Sequence, residues 1–141
     1  MSFRLAKPMD APQLKRLNDL FNGEGCNSAE NIAKSLEQCG GEIVCVAEKE
    51  GELIGFCCGH IYLSMCYEKK LGEITEMFVC PEHRRSGAGK GMMNFMENEL
   101  RKMGAASVRL LTGADNLSAQ AFYLSCGYVQ DDELLMKKRL K

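Results

Sequence analysis

The 141-residue sequence has no tryptophan, only three prolines and two histidines, and no excess of charge of either sign. Its apolar runs fall far short of the roughly 20 residues that a membrane-spanning helix needs, so no membrane partner is expected. A net charge of -1 provides no basic footprint for nucleic acid, and no nucleic-acid partner is expected. The N-terminal residues lack the apolar stretch of a secretion signal, and we expect a cytoplasmic protein.

The eight cysteines form no Cys-x-x-Cys pair, which excludes the common zinc-ribbon and thioredoxin spacings. Two histidines are too few for a mixed cysteine–histidine site, so no metal is expected. His60 is interpreted as a tethered structural histidine and His83 as a surface group beside a turn. We interpret the cysteines as free thiols that pack as small apolar residues. Cys80, Cys126 and the Cys57–Cys58 pair are assigned to the core or to pocket walls.

The predicted elements follow the order β-α-α-β-β-β-α-β-α-β, which indicates a mixed α/β fold in a single domain over residues 1–141 without the regular alternation of a doubly wound fold. Helix starts are predicted at Asp10, with Gln13 completing a capping box, and at Asn27. The predicted strands are 3–7, 42–48, 52–62, 73–79, 108–111 and 134–140, and the later helices are a long one after 84–91 and a short one over 116–125. One face of the long helix is predicted to pack in the core through Met92, Met93, Met96, Leu100 and Met103.

The strongest local signal runs from Val79 to Gly91, where a predicted strand leads through a glycine-rich turn into a helix. Glycines at 87, 89 and 91 allow the backbone to approach a ligand closely. A helix N-terminus presents unpaired N–H groups and the positive end of its dipole, which favours phosphate. The segment does not satisfy the Walker A pattern or the Gly-x-Gly-x-x-Gly pattern of a dinucleotide fold.

Residues 84–89, Arg-Arg-Ser-Gly-Ala-Gly, fit the acyl-CoA loop pattern Arg/Gln-x-x-Gly-x-Gly/Ala of the GCN5-related N-acetyltransferases, the GNAT superfamily. Residues 116–128 resemble its Asn-x-x-Ala-x-x-Phe-Tyr-x-x-x-Gly-Phe/Tyr segment. The order of elements also matches, so the resemblance covers essentially the whole chain. It implies a mixed, mostly antiparallel sheet with a central split and helices on both faces.

The resemblance implies acetyl-CoA as co-substrate. Its pantetheine arm would pair with the backbone of Met77 and Val79, and its pyrophosphate would meet N–H groups from Arg85 to Lys90. Asn116 would reach it from the other side. The implied cofactor-binding residues are Met77, Phe78, Val79, Arg84, Arg85, Ser86, Gly87, Ala88, Gly89, Lys90, Asn116 and Tyr123.

An alkyl ammonium must lose a proton before it attacks, which at neutral pH costs about 4 kcal/mol. By resemblance Glu73 is the candidate base and Glu76 its rival, with a water chain as the open alternative. In a regular strand Glu73 shares a face with Met77 and Glu76 points the other way, unless a bulge intervenes. The resemblance makes Tyr123 the proton donor to the departing thiolate, in a direct transfer without an acyl-enzyme.

The acceptor is expected to bind at residues 21–38 and 64–72, by resemblance. Acidic side chains at Glu24, Glu30, Glu68 and Glu76 would favour a small cationic amine, similar to an aminoglycoside or a polyamine. The alternatives are a lysine or N-terminal amine of a protein, or a non-catalytic acyl-CoA sensor. A homodimer is left open.

Overall fold

The computed structural model describes residues 1–38 and 40–141 and contains both strands and helices. In chain order these are β1 (Ser2–Leu5), α1 (Ala11–Asn22), α2 (Ala29–Gln38), β2 (Glu42–Lys49), β3 (Glu52–Tyr62), β4 (Lys70–Val79), α3 (Ala88–Lys102), β5 (Ala105–Leu110) and α4 (Leu117–Ser125). Residues 1–111 and 112–141 form two compact units, and each is described by itself. None of the described helices is long and apolar enough to cross a membrane.

A five-stranded sheet organises residues 1–111, with the strands in the order β1-β2-β3-β4-β5. Neighbouring strands are antiparallel, except that β4 and β5 are parallel. β5 pairs only with the first half of β4, from Lys70 opposite Ala105 to Ile74 opposite Leu110. Residues 75–79 of β4 therefore have no strand beside them on that side of the described sheet. This opening is the central split, and the mixed, mostly antiparallel fold is confirmed.

One face of the sheet is covered by α3, whose apolar side is fully buried at Met92, Met93, Met96 and Leu100. Glycines in β3 make room for this helix. A Cβ added at Gly55 would lie 3.0 Å from the Met92 methyl, and one at Gly59 would lie 3.1 Å from the Met96 sulfur. Met103 does not belong to this face: it caps the helix C-terminus and is 46% exposed, so its predicted core position was wrong.

The opposite face packs against α1 and α2 through an apolar cluster. Its buried members are Leu14, Leu17, Val46, Leu53, Phe56, Cys58, Phe78 and Cys80. At the end of α1 the ring of Phe21 lies 5.2 Å from that of Phe78 and 6.1 Å from that of Phe56, measured between centroids. An aromatic group thus covers the second half of β4 on this face.

Helix starts differ from the predicted caps. Asp10 precedes α1 but makes no capping hydrogen bond. Its carboxylate is buried and accepts from the Arg4 guanidinium at 2.7 and 3.0 Å and from the Lys7 N–H at 2.7 Å. Gln13 is used elsewhere, since its side-chain oxygen accepts from the Leu53 N–H at 2.8 Å. The predicted capping box is therefore replaced by an anchor that ties β1 to the start of α1.

Two strand predictions need correction. The sequence predicts a buried strand at 108–111, but β5 begins at Ala105 and half of its residues are exposed, since it is the last strand of the described sheet. Residues 134–140 were predicted to form a final strand, and the structure holds them without strand pairing. A β-strand forms only where a neighbouring strand provides hydrogen-bond partners for its backbone. The apolar pattern of a segment does not identify that neighbour.

The cysteines divide by position. Cys45, Cys57, Cys58 and Cys80 are buried as predicted, whereas Cys26 and Cys66 are exposed, contrary to the expectation of buried thiols. A hydrogen bond with Cys45, followed by burial, raises the pKa of Cys57, and burial raises the pKa of Cys58. These thiols stay protonated and are poor nucleophiles. Cys39 lies outside the described residues.

Candidate active site

A β-bulge in β4 decides where its two glutamates point. Cys58 pairs with Glu76 and the next residue of β3, Gly59, pairs with Ile74, so Thr75 has no opposite partner. Side chains of paired residues lie on the same face of a sheet, and Gly59 faces α3. Ile74 and Met77 therefore face α3, while Glu73 and Glu76 both face the α1 and α2 side. Of the two predicted arrangements the structure shows the one with a bulge, and the extra residue brings the two glutamates to the same face.

Glu73 is held by one donor from each neighbouring strand. His60 Nε2 of β3 lies 3.1 Å from Oε1, and Arg109 Nε of β5 donates to Oε2 at 2.7 Å. Burial opposes ionisation, but the hydrogen bonds from His60 and then Arg109 outweigh it and lower the pKa of Glu73. The carboxylate is therefore ionised at neutral pH, and both of its oxygens are engaged.

Arg109 and His60 are themselves supported by Tyr62. The Arg109 guanidinium carbon lies 5.2 Å from the centre of the Tyr62 ring. The centre of the His60 ring lies 5.8 Å from the centre of the same Tyr62 ring. Contact with an aromatic face stabilises a guanidinium and restricts its orientation. The four side chains form one cluster, which we call the Glu73 cluster: His60, Tyr62, Glu73 and Arg109.

Glu76 is in a different environment from Glu73. Its side chain is exposed and makes no hydrogen bond or ion pair with a residue that the structure describes. Its charged neighbour on this face is Glu42 of β2. Partial burial, and then the charge of Glu76, raises the pKa of Glu42, although the Glu42 side chain still reaches solvent. The charge of His60 acts in the opposite direction on Glu42 but is outweighed, and neither carboxylate forms an ion pair with a described side chain.

The open half of β4 presents backbone hydrogen-bonding groups to the split. Cys80 donates its N–H to Ile54 across to β3 at 2.8 Å. Because successive residues of a strand direct these groups to alternate sides, those of Met77 and Val79 point away from β3. Arg84 Nε donates to the Val79 carbonyl at 3.2 Å, which agrees with this direction. The Val79 N–H and both backbone groups of Met77 can pair with an added extended chain.

The glycine-rich loop after β4 leads directly into α3. Gly87 precedes the helix at φ 89°, in the left-handed region, and a Cβ added there would meet nothing within 4 Å. Arg85 also adopts a positive φ, 61°, which costs an L-residue energy and persists where the fold requires it. The first N–H groups of α3 lack intrahelical acceptors, and no described side chain caps them. Together with the exposed Arg84, Arg85 and Lys90 they suit an anion.

Asn116 and Tyr123 lie in the second unit. Asn116 caps α4, since its side-chain oxygen accepts the Ala119 N–H at 3.2 Å. The Tyr123 ring lies 5.4 Å from the Phe122 ring and 6.3 Å from the Tyr128 ring. The predicted roles of Asn116 toward the co-substrate and of Tyr123 as proton donor stay predictions.

The acidic cleft proposed for Glu24, Glu30, Glu68 and Glu76 stays a prediction. Among the described residues, Glu76 makes no contact with Glu24, Glu30 or Glu68. Glu24 borders a shallow groove on α1, and Glu30 pairs with Lys34 at 3.2 Å. Sequence reasoning missed Glu42 as the neighbour of Glu76, and it missed Arg109 altogether. Their positions depend on strand register, and no local pattern in the sequence contains it.

Comparisons with known proteins agree on one family. The model of the acetyltransferase (GNAT) family matches residues 12–128. The N-acetyltransferase YhfO of Bacillus subtilis is 26% identical over 136 residues, which cover 93% of this chain and 91% of that protein. The crystal structure of an aminoglycoside acetyltransferase from an uncultured soil sample, in complex with sisomicin, superposes with a TM-score of 0.86 at 21% identity and covers 99% and 96% of the two chains. The aminoglycoside N-acetyltransferase AAC(6')-Iy in complex with CoA gives 0.85 at 17% identity, over 99% and 95%.

Proposed function

Because the chain belongs to the acetyltransferase (GNAT) family, we propose that it transfers the acetyl group of acetyl-CoA directly to the primary amine of a small cationic acceptor. The observation that carries the proposal is the open half of β4 leading through a glycine-rich loop into the N-terminus of α3. One edge offers backbone groups to an extended amide chain, and the next turn offers N–H groups and cations to phosphates.

The residues present fit acetyl-CoA. Its amide-containing arm would pair with Met77 and Val79, and its pyrophosphate would bind at residues 85–90, where Gly87 leaves open space. Phe78, between the two pairing residues, would hold this part of β4 in place by its burial against Phe56. Acetyl-CoA supplies an activated acetyl group whose carbonyl carbon is attacked by an amine. The chain's part is to bind the donor, orient the acceptor and move protons.

The acidic pair of Glu42 and Glu76 supports a cationic acceptor. Two carboxylates that repel each other, and that form no ion pair with a described side chain, are stabilised when an ammonium binds beside them. An acetyltransferase with the same fold binds the aminoglycoside sisomicin, which carries several amines of this kind. We therefore assign Glu76 to holding the acceptor ammonium on the face that Glu73 shares.

Two proton movements complete the reaction. The ammonium must lose a proton to a base beside the acceptor, for which Glu73 and Glu76 are the carboxylate candidates. The departing CoA thiolate gains a proton, and we assign its donation to Tyr123, because a phenol can donate to a thiolate as charge develops. The described cysteines are free thiols, which fits the reducing cytoplasm as the place of this activity.

The test is formation of CoA from acetyl-CoA, followed by chromatography because exposed Cys26 and Cys66 would react with thiol reagents. The acceptors are sisomicin, spermidine and a short peptide with an N-terminal alanine. We expect acetylation of sisomicin or spermidine, detected as a mass increase of one acetyl group. A preference for the peptide would overturn the small-cation proposal. If none of the three amines supported formation of CoA, acetyl transfer to amines would itself be overturned.

A further inference from the structure

The contact between His60 and Glu73 fixes which nitrogen of the imidazole carries a proton. Arg109 keeps the Glu73 carboxylate ionised through a 2.7 Å ion pair, and an ionised carboxylate only accepts hydrogen bonds. His60 Nε2, 3.1 Å from Oε1, must therefore be the donor. In the neutral ring the lone pair then lies on Nδ1, which makes no hydrogen bond with a described residue.

We propose that His60 is the base that takes the proton from the acceptor ammonium, at Nδ1, and that Glu73 is a positioning residue which holds the imidazole in the required tautomer. This inference rests on the proposed function, and it assigns the proton transfer there to a histidine instead of a carboxylate. The side chain of His60 is 36% exposed, so an acceptor or one bridging water can reach it.

The ammonium gives one proton to His60 Nδ1, which becomes imidazolium, and the neutral amine forms a bond to the acetyl carbonyl carbon. The bond from that carbon to sulfur breaks, the nitrogen loses a second proton, and the thiolate takes one proton. Acetylated amine and CoA result, and the imidazolium returns one proton to solvent.

Several charged side chains surround the imidazole of His60. Facing it are Glu42 on β2, Glu73 and Glu76 on β4, and Arg109 on β5, which contacts Tyr62 beside it. Glu73 has both oxygens engaged and a lowered pKa, so it binds a proton weakly. Imidazoles in general titrate nearer to neutral pH than carboxylates do, and a base works best when its pKa lies near the working pH.

The tautomer can be tested without any acceptor. Long-range nitrogen–proton NMR correlations of uniformly 15N-labelled protein distinguish protonated from bare ring nitrogens. We expect His60 to carry its proton on Nε2, and we expect a mixture of tautomers after Glu73→Ala. A His60 ring protonated on Nδ1 in the unmodified protein would overturn the proposal.

The kinetic test uses the only other histidine as a matched control. With sisomicin as acceptor, His60→Asn should lower kcat/KM about 100-fold at pH 7 and replace the plateau of its pH profile by a steady rise with hydroxide. His83→Asn should leave the profile unchanged within about twofold. In the His60→Asn background, Glu73→Ala should lower kcat/KM further by less than about threefold, because the carboxylate acts through the imidazole ring. Acetyl-CoA affinity from calorimetry should be equal in all variants, which shows that the fold is intact.

The outcomes separate two failures. Turnover of sisomicin with the same pH profile in His60→Asn and His60→Gln overturns the assignment of the base and leaves the proposed function standing. Absence of turnover with sisomicin, spermidine and the peptide in the unmodified protein overturns the proposed function, and the role of His60 with it.

Discussion

Glu73 and Glu76 face the same side of the sheet, although an unbroken strand would place them on opposite sides. The extra residue, Thr75, brings both carboxylates to the face where α1 and α2 pack. Their environments then differ, since Glu73 is paired with His60 and Arg109 and Glu76 is beside another acid. One bulge thus places on the same face a carboxylate that we propose to orient His60 and a carboxylate that we propose to hold a cation.

Glu76→Gln should raise KM for sisomicin about tenfold and change kcat by less than about threefold, because it weakens binding in the ground state and transition state alike. The rise of KM with salt should also become shallower, since less of the attractive field is left to screen. Glu68→Gln is the matched control, because Glu68 has no described contact with Glu76. Initial rates at two salt concentrations decide the point, and equal KM values in both variants would contradict it.

Gly87→Ala should lower acetyl-CoA affinity about tenfold, equivalent to 1.4 kcal/mol. The new methyl group would project into the open space of the loop, and the left-handed backbone would be strained by about 1 kcal/mol. Gly51→Ala, at φ 80° in the turn between β2 and β3, carries similar strain away from the loop. Calorimetry should show weaker binding in Gly87→Ala alone, whereas equal affinities would place the pyrophosphate elsewhere.

Tyr123→Phe should lower kcat with sisomicin about tenfold or more and leave acetyl-CoA affinity unchanged, because it removes a proton donor but little volume. Tyr128→Phe removes a second phenol from the same small cluster and should have little effect. Steady-state kinetics of both variants tests the assignment. If the two variants lose activity equally, the ring cluster and not the Tyr123 hydroxyl is responsible.

Gly91→Ala should destabilise the protein by about 2 kcal/mol, since a Cβ there would overlap the Phe3 ring of β1. Adding Phe3→Ala should make the Gly91 substitution nearly neutral, because the overlapping ring is then gone. Asn94→Ala, on the exposed side of the same helix, should change stability by less than about 0.5 kcal/mol. Urea unfolding curves provide the free energies, and additive losses in the double variant would contradict the contact.

Asp10→Asn should cost about 2 kcal/mol at pH 7, because it weakens three hydrogen bonds of a buried carboxylate. The hydrogen bonds from Arg4 lower the pKa of Asp10, so the stabilisation is complete above the unfolded pKa of about 3.9 and is lost as the pH falls through the lower folded value. The difference in the free energy of unfolding between the unmodified protein and Asp10→Asn should therefore become smaller toward pH 2. Glu30→Gln breaks only an exposed pair and should cost under about 0.5 kcal/mol.

Local patterns predicted the elements of the fold well where each signal is contained in a short segment. The strand 52–62 and the helix start after the glycine-rich loop are of this kind. The turn Lys49-Glu50-Gly51 also lies where its polar and glycine residues place it, with Glu50 and Gly51 at positive φ.

The arrangement of the candidate site could not be predicted in the same way. Glu73 meets His60 and Arg109 because three strands align in one register, and Glu42 meets Glu76 for the same reason. The bulge at Thr75 follows from the pairing of β3 with β4 and leaves no mark in the alternation of residues. The prediction of a strand at 134–140 was wrong for a related reason, since an alternation of apolar residues does not identify the strand with which a segment would pair.

The contact of Phe3 with Gly91 also affects the order in which the chain can fold. β1 is synthesised before the other strands of the sheet, yet the helix surface on which its aromatic ring rests is made only after all of β2, β3 and β4. Contacts between residues far apart in sequence are slow to form, because a long loop must close first. We therefore expect β1 to dock late, so that the first edge of the sheet and the helix at the proposed pyrophosphate site become rigid together.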